Sequence, residues 1–294
     1  MDIKNSYRYL PVSQRDKDWG VYVTGAGHAA VPGGSPYPPA GHPSAYHFDW
    51  RNGRRLQEFQ LVYIHQGFGE FESNEQGRIR VQSGTIIMLT PGTWHRYRPD
   101  SESGWDEYWI GFSGSHISEL MKRQFFSSRQ ALYTINSKRT IVNLFQDCLK
   151  QLHDERIGFQ QIVSSRVIAL LAEIHSANQL PQKNASHIES IVQEGKQYLD
   201  KHPDELIDMQ HLAKELNVSY DYFRRQFKLI TGLPPHQYHL LLKINRAKEL
   251  LSATNTSIKE IAATLNFDTP FYFSRKFKEK TSLSPKAFRQ LSRK

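Results

Sequence analysis

The sequence predicts an α+β chain of two domains: an N-terminal antiparallel β domain followed by two helices, and an all-α C-terminal domain. Three observations predict it. The apolar period changes from about two to about 3.6 near Phe112, a degenerate repeat occupies the last third, and the positive charge is concentrated at that same end. At 294 residues the chain exceeds the usual single-domain size of about 100–150, so two cores are the expectation. The boundaries fall at 1–178 for the β domain, 179–187 for a polar linker and 188–291 for the helical domain.

The β domain opens on an extended arm or loop, VPGGSPYPPAGHP (31–43), whose Pro and Gly exclude a regular element. Short β-like runs follow: FQLVYI (59–64), GFGEFES (67–73), RIRV (78–81), TIIMLT (85–90) and DEYWIGF (106–112). Glycines at 67, 69, 77, 84 and 92 punctuate them. This pattern reads as antiparallel sheet closing into a small barrel or sandwich. Beyond Phe112, two amphipathic stripes predict helices. One is Ile141, Leu144, Phe145, Cys148, Leu149 and Leu152; the other is Ile162, Val163, Val167, Leu170, Leu171 and Ile174. Leu144, Leu152, Leu170 and Ile174 would pack on the barrel or on a second subunit. NQLPQKNASH (178–187) then reads as linker.

The C-terminal repeat pairs LAKELNVSYDYFRRQFKLITGLPPHQY (212–238) with IAATLNFDTPFYFSRKFKEKTSLSPKAF (261–288), with one extra residue in the second copy. Each copy has the grammar of a helix-turn-helix. A short helix turns Leu212, Ala213 and Leu216, or Ile261, Ala262 and Leu265, inward. After an Asn-containing turn, Ser219 and Asp268 are placed as N-caps of the next helix. That helix keeps Phe223 and Phe227, or Phe273 and Phe277, inside at i and i+4. Asp221, Arg224, Arg225 and Lys228, or Phe271, Ser274, Arg275 and Lys278, are left outside. A basic helix on a hydrophobic support suits a major groove, and an arginine fork suits guanine O6 and N7. HQYHLLLKINRAKELL (236–251) is one helical run that would hold the copies about one turn of DNA, roughly 34 Å, apart. Two copies are fewer than the three a solenoid needs.

Charge agrees. Residues 181–294 hold 19 Lys+Arg against 12 Asp+Glu, whereas 1–180 hold 19 against 17, so a polyanion partner is implied for the C-terminal end. The single cysteine, Cys148, fits a reducing compartment, and no apolar run approaches the roughly 20 residues of a membrane span. The expectation is a cytoplasmic protein with no membrane partner and no cofactor.

These motifs carry a resemblance. Residues 188–291, through SYDYFRRQFK, INRAKELL, SIKEIAATLNF, FYFSRKFK and TSLSPKAFR, closely resemble the DNA-binding domain of the AraC/XylS family of transcription regulators. The resemblance implies base contacts at Asp221, Arg224 and Arg225 in the first recognition helix and at Phe271, Ser274 and Arg275 in the second. It further implies double-stranded promoter DNA and RNA polymerase as partners, favours activation, and accords with a homodimer. Thr281-Ser282 stands where the first copy has Thr231-Gly232.

More loosely, Gly67-Phe68-Gly69, Gly84, PGTWH (91–95) and WDEYWIGFSG (105–114) resemble the cupin-like β-barrel, or jelly roll, that binds ligand in sugar-responsive members. That places ligand contacts on Tyr97, Glu107 and Trp109, with a basic residue from the 51–54 region, taken as Arg54. Residue chemistry points the same way. Trp105, Glu107 and Trp109 share one strand face, and an indole beside a carboxylate suits a sugar. Two other readings stay open: core aromatics with Glu107 in a salt bridge, and a constitutive DNA-binding protein whose barrel is only a scaffold. A metal-dependent cupin enzyme is disfavoured, because 67–73 lacks the His-x-His that would join His95, and His65 is isolated.

Overall fold

A computed structural model describes residues 6–39, 50–135, 137–179 and 185–292. The chain divides into two compact units, Met1–Gln182 and Lys183–Lys294. In the first, nine strands run β1 (Ser6–Tyr9), β2 (Tyr22–Val31), β3 (Arg54–Arg55), β4 (Phe59–Ser73), β5 (Gly77–Gln82), β6 (Thr85–Leu89), β7 (Trp94–Pro99), β8 (Trp105–Ser113) and β9 (Leu132–Thr134). Helices α1 (Gln14–Asp18) and α2 (Ser115–Lys122) are short; α3 (Lys138–Asp154) and α4 (Phe159–Gln179) are long.

Strand β4 organises the domain. FQLVYI and GFGEFES, expected as two strands, form one. Its first half pairs with β6 and β8 and its second half with β5 and β7, so two sheets share it. A register shift between Ile64 and Gln66 and a left-handed Gly67 (φ 84°) bend the strand from one sheet into the other instead of turning the chain back. One sheet runs β1-β2-β8-β4-β6-β9, all antiparallel.

Both faces of that sheet are covered. Val62, Ile64, Ile87, Leu89, Trp105 and Trp109 face an interior that includes Phe71, Val81 and Tyr97 of the other sheet. Their alternates Leu61, Tyr63, Ile86, Met88, Tyr108 and Ile110 pack on α3 and α4. Double burial explains why residues 61–64 and 86–89 read as unbroken apolar runs. Tyr63 stacks on Phe145 of α3 with ring centroids 6.2 Å apart. Buried Gln160 of α4 donates to Val23 O (2.9 Å) and accepts from Val23 N (3.2 Å), satisfying backbone beside a β2 irregularity.

The helical stripes lie where their spacing put them, and they take the first of the two packings open to them. Leu152, Leu170 and Ile174 are enclosed in this chain's own core, so they are not available to a second subunit; Leu144 is only partly buried and Ile162 is exposed. Cys148 is fully buried and its thiol is pushed up to about 12 by desolvation. Residues 32–39 are irregular, as their prolines and glycines demand, and the rest of the 31–43 arm lies outside the described residues. So does most of the expected linker: α4 ends at Gln179 and α5 begins at Ala185.

The second unit is all helical: α5 (Ala185–Lys201), α6 (Met209–Glu215), α7 (Tyr220–Thr231), α8 (Pro235–Ala253), α9 (Ile258–Thr264), α10 (Pro270–Thr281) and α11 (Pro285–Ser292). Helices α6–α7 and α9–α10 are the two copies of the repeat, joined by α8. Asn217 and Asn266 sit in the left-handed region (φ 57° and 51°), which ends the first helix of each pair and reverses the chain. Ser219 caps α7 as expected. The cap of α10 is Thr269, not Asp268: the extra residue in the second copy moves the helix start by one, and the Thr269 hydroxyl accepts from Tyr272 N at 3.0 Å. Ser282 takes the left-handed C-cap (φ 65°) that Gly232 takes in the first copy.

Candidate nucleic-acid interface and effector cavity

Helices α7 and α10 separate their residues by face. Phe223, Phe227, Phe273 and Phe277 are wholly buried, each pair edge-to-face at 5.4 Å and 5.7 Å. On the solvent side of α7 stand Asp221, Arg224, Arg225 and Lys228; on that of α10 stand Phe271, Arg275 and Lys278, with Ser274 half-buried beside them. None of the five cations has an ion-pair partner among the described residues. By contrast, Lys276 and Lys280 both reach Glu279, at 2.9 Å and 3.8 Å. Unneutralised arginine on a rigid, exposed helix is ready to meet phosphate or base without first breaking a bridge.

The surrounding rings orient two of these arginines. Arg225 lies 5.8 Å from the Tyr222 ring and Arg275 lies 5.3 Å from Tyr272, equivalent positions in the two copies. Ser274 donates to Pro270 O at 2.8 Å, which leaves its oxygen to accept. Phe271 is 79% exposed, which leaves its ring open to meet an apolar group such as a thymine methyl. The copies therefore differ in chemistry: a polar, doubly basic helix in one, an aromatic and hydroxyl face with one arginine in the other.

In the β domain the four predicted ligand residues meet unequally. Tyr97 of β7 lines a cavity of about 820 Å³, together with Tyr37, Trp50, Arg80 and Arg98. Arg54 and Glu107 stand one layer behind it. Arg54 donates to the Tyr97 hydroxyl (2.6 Å) and to Gln60 Oε1 (3.1 Å). Glu107, on β8, accepts from the Tyr37 hydroxyl at 3.1 Å and 3.0 Å. Trp109 shares the strand face of Glu107 but packs on Tyr9 (5.4 Å) over Gly27, where a Cβ would lie 2.6 Å from the indole nitrogen.

Burial sets the electrostatics. Desolvation raises the Glu107 carboxyl to about 8, against the opposing pull of the Tyr37 hydroxyl and Arg54, so it is held mostly neutral near pH 7 rather than as the open carboxylate the sequence suggested. Desolvation, with Arg54 beside it, lowers His95 to about 4. Its Nδ1 meets Thr93 O at 3.0 Å and its Nε2 accepts from Arg54 Nε at 3.4 Å, so the ring braces the arginine. His65 packs beside Tyr63 and Tyr108. No group of three His, Cys, Asp or Glu side chains is arranged for a metal ion among the described residues.

Tyr37 and Gln60 were not anticipated. Tyr37 sits in the PYPP run, whose prolines mark a loop and hide that its ring packs against Tyr97 (5.9 Å) and Trp105 (5.6 Å). Gln60 lies in FQLVYI, where alternation does put it opposite Leu61, yet nothing local reports its arginine partner.

Comparison with known proteins divides the chain at the same place. Residues 34–171 match the model of the AraC-like ligand binding domain, and residues 212–291 match that of a helix-turn-helix domain. The MmsAB operon regulatory protein of Pseudomonas aeruginosa is 28% identical over 80% of this chain and 76% of its own length. The arabinose operon regulatory protein of Salmonella typhimurium is 28% identical over 75% and 80%. YfiF of Bacillus subtilis, an HTH-type transcriptional regulator, is 33% identical over 79% of this chain and 77% of its own. Among the described residues no helix is long and apolar enough to cross a membrane. A ligand-binding model followed by a helix-turn-helix model, with a relative of one-third identity spanning both, makes this chain a member of the AraC family of DNA-binding transcription regulators.

Proposed function

We propose that this regulator is controlled by a small sugar held in the N-terminal domain, and that it acts on promoter DNA through α7 and α10 in successive major-groove segments. The observation that carries the effector reading is a buried polar network opening on a cavity: Arg54 to Tyr97, and Tyr37 to Glu107. Neutral hydroxyl and carboxyl groups between aromatic rings match a polyol, whose C–H faces pack on rings while its hydroxyls exchange hydrogen bonds. A relative named for the arabinose operon supports that class. In this reading Tyr97 touches the sugar, Arg54 and Glu107 orient the contact hydroxyls, and Trp109 supports the strand face.

Titration calorimetry with pentoses, hexoses and short oligosaccharides tests it. One sugar should bind the full chain, and Arg54→Met should weaken that sugar roughly tenfold or more, the size of a lost charged hydrogen bond. DNA binding without sugar should survive. Equal binding by the variant removes Arg54 from the site, and no binding by any sugar leaves the barrel a scaffold.

On the DNA side, Asp221, Arg224, Arg225, Phe271, Ser274 and Arg275 read base edges, and Lys228 and Lys278 hold phosphate. The regulator works as a homodimer that recruits RNA polymerase for activation. Light scattering of the full chain at micromolar concentration should give twice the chain mass; a single chain mass contradicts the dimer.

A further inference from the structure

The helical unit holds two separate apolar cores. One gathers Ile191, Val192, Leu199, Leu212, Phe223 and Phe227; the other gathers Leu240, Ile244, Leu251, Ile261, Phe273 and Phe277. Helix α8 connects them. A single helix between two bodies can curve gently even without a kink, and over the length of α8 such curvature changes the angle and spacing between α7 and α10. Something must brace it if the two helices are to reach DNA in fixed register.

The brace is polar and converges on the loop between α5 and α6. Asn266, in the turn between α9 and α10, donates its side-chain amide to Asp204 O at 2.6 Å. Lys243, buried in the middle of α8, donates to Asn266 O at 3.4 Å. Arg246 Nε approaches Asp204 Oδ2 at 3.9 Å, and His239 Nε2 meets His202 O at 3.1 Å. A loop that precedes the first helix-turn-helix is thereby fastened both to α8 and to the turn of the second.

The two repeat copies supply an internal control. Asn217 and Asn266 are equivalent and both adopt the left-handed conformation, which asparagine tolerates. The Asn217 side chain makes no hydrogen bond among the described residues, so the backbone alone accounts for it. The Asn266 side chain reaches across to Asp204, which the turn does not require. We infer that Asn266, with Lys243 and Asp204, is a positioning latch that sets the separation of the two recognition helices. Its effect reaches DNA only through that geometry.

The inference rests on the reading that α7 and α10 both engage DNA, and the test separates the two. A duplex is selected from random sequence by the full-length wild-type chain. A second version carries one base pair inserted between the two contacted segments, which shifts them by about 3.4 Å and a tenth of a turn. Wild type should lose roughly tenfold or more on insertion, because rigid linkage of two binding units is what raises the joint affinity. No loss in wild type overturns the two-helix reading and the latch with it.

Asn266→Gly keeps the left-handed turn and removes the amide. It should bind the selected duplex roughly three- to tenfold more weakly and lose less than about threefold on insertion, since a looser linkage costs affinity but tolerates misplacement. Asn217→Gly should keep the full wild-type insertion penalty. An unchanged penalty in Asn266→Gly, or an equal reduction in both variants, overturns the latch. If Asn266→Gly is unfolded by circular dichroism, Asn266→Asp, which tolerates the same turn and lacks the donor, takes its place with the same outcomes required.

Discussion

The two sites of this molecule use charge in opposite ways. On α7 and α10, Arg224, Arg225, Lys228, Arg275 and Lys278 stand outside with no ion-pair partner among the described residues, and the phenylalanines behind them carry the fold. In the β domain, Arg54 is partly buried and Glu107 buried, both tied to phenols, and the carboxyl is pushed toward its neutral form. The difference follows from the partners proposed for them. DNA is a polyanion met at the surface, where exposed cations displace counterions. A small neutral effector must be enclosed, and enclosure penalises any ion it does not itself neutralise.

The same contrast governs what could be read from the sequence. The helix-turn-helix copies were legible because every signal is local: phenylalanines four apart, an Asn turn, a capping hydroxyl and the basic residues between. The one error there, Asp268 for Thr269, came from a single inserted residue. In the β domain the runs 59–64, 85–90 and 106–112 were visible because double burial fills most of each with apolar and aromatic residues. Strand β2, YVTGAGHAAV, was not, since glycine and alanine replace the β-branched residues that mark strands. Its glycine at 27 is required by Trp109 of β8, a contact eighty residues away. Tyr37 was hidden for the same reason. Its role depends on Glu107, far along the chain, and prolines on either side declare only a loop.

The contrast breaks most visibly under pH. Glu107 has its folded value raised to about 8 from 4.5, so above 4.5 the unfolded chain releases a proton the folded chain keeps, and stability falls as pH rises. His95 has its folded value lowered to about 4 from 6.5, so stability rises with pH up to 6.5. The two slopes cancel between about 4.5 and 6.5. From 6.5 to 8 only the Glu107 slope remains, and the β domain should lose about 2 kcal/mol. All five tryptophans lie in this unit, so urea unfolding followed by their fluorescence reports it. Glu107→Gln should abolish the decline above 6.5; a decline that persists assigns it to another group.

A smaller effect sharpens the DNA side. Lys278 is exposed, unpaired and one turn beyond Ser274, a position suited to phosphate. Lys278→Ala should weaken specific and non-specific duplexes alike and reduce the slope of log affinity against log salt by about 0.9. A sequence-dependent loss with an unchanged slope makes Lys278 a base reader.

The central claim is that one chain reads DNA with two distinct helices, and footprinting on the selected duplex tests it most directly. Wild type should protect two major-groove segments about one helical turn, roughly 34 Å, apart. Arg225→Ala should lose base preference in one segment and Arg275→Ala in the other, each at a cost of about 1–3 kcal/mol. A single protected segment, or two variants that relax the same segment, would contradict the account.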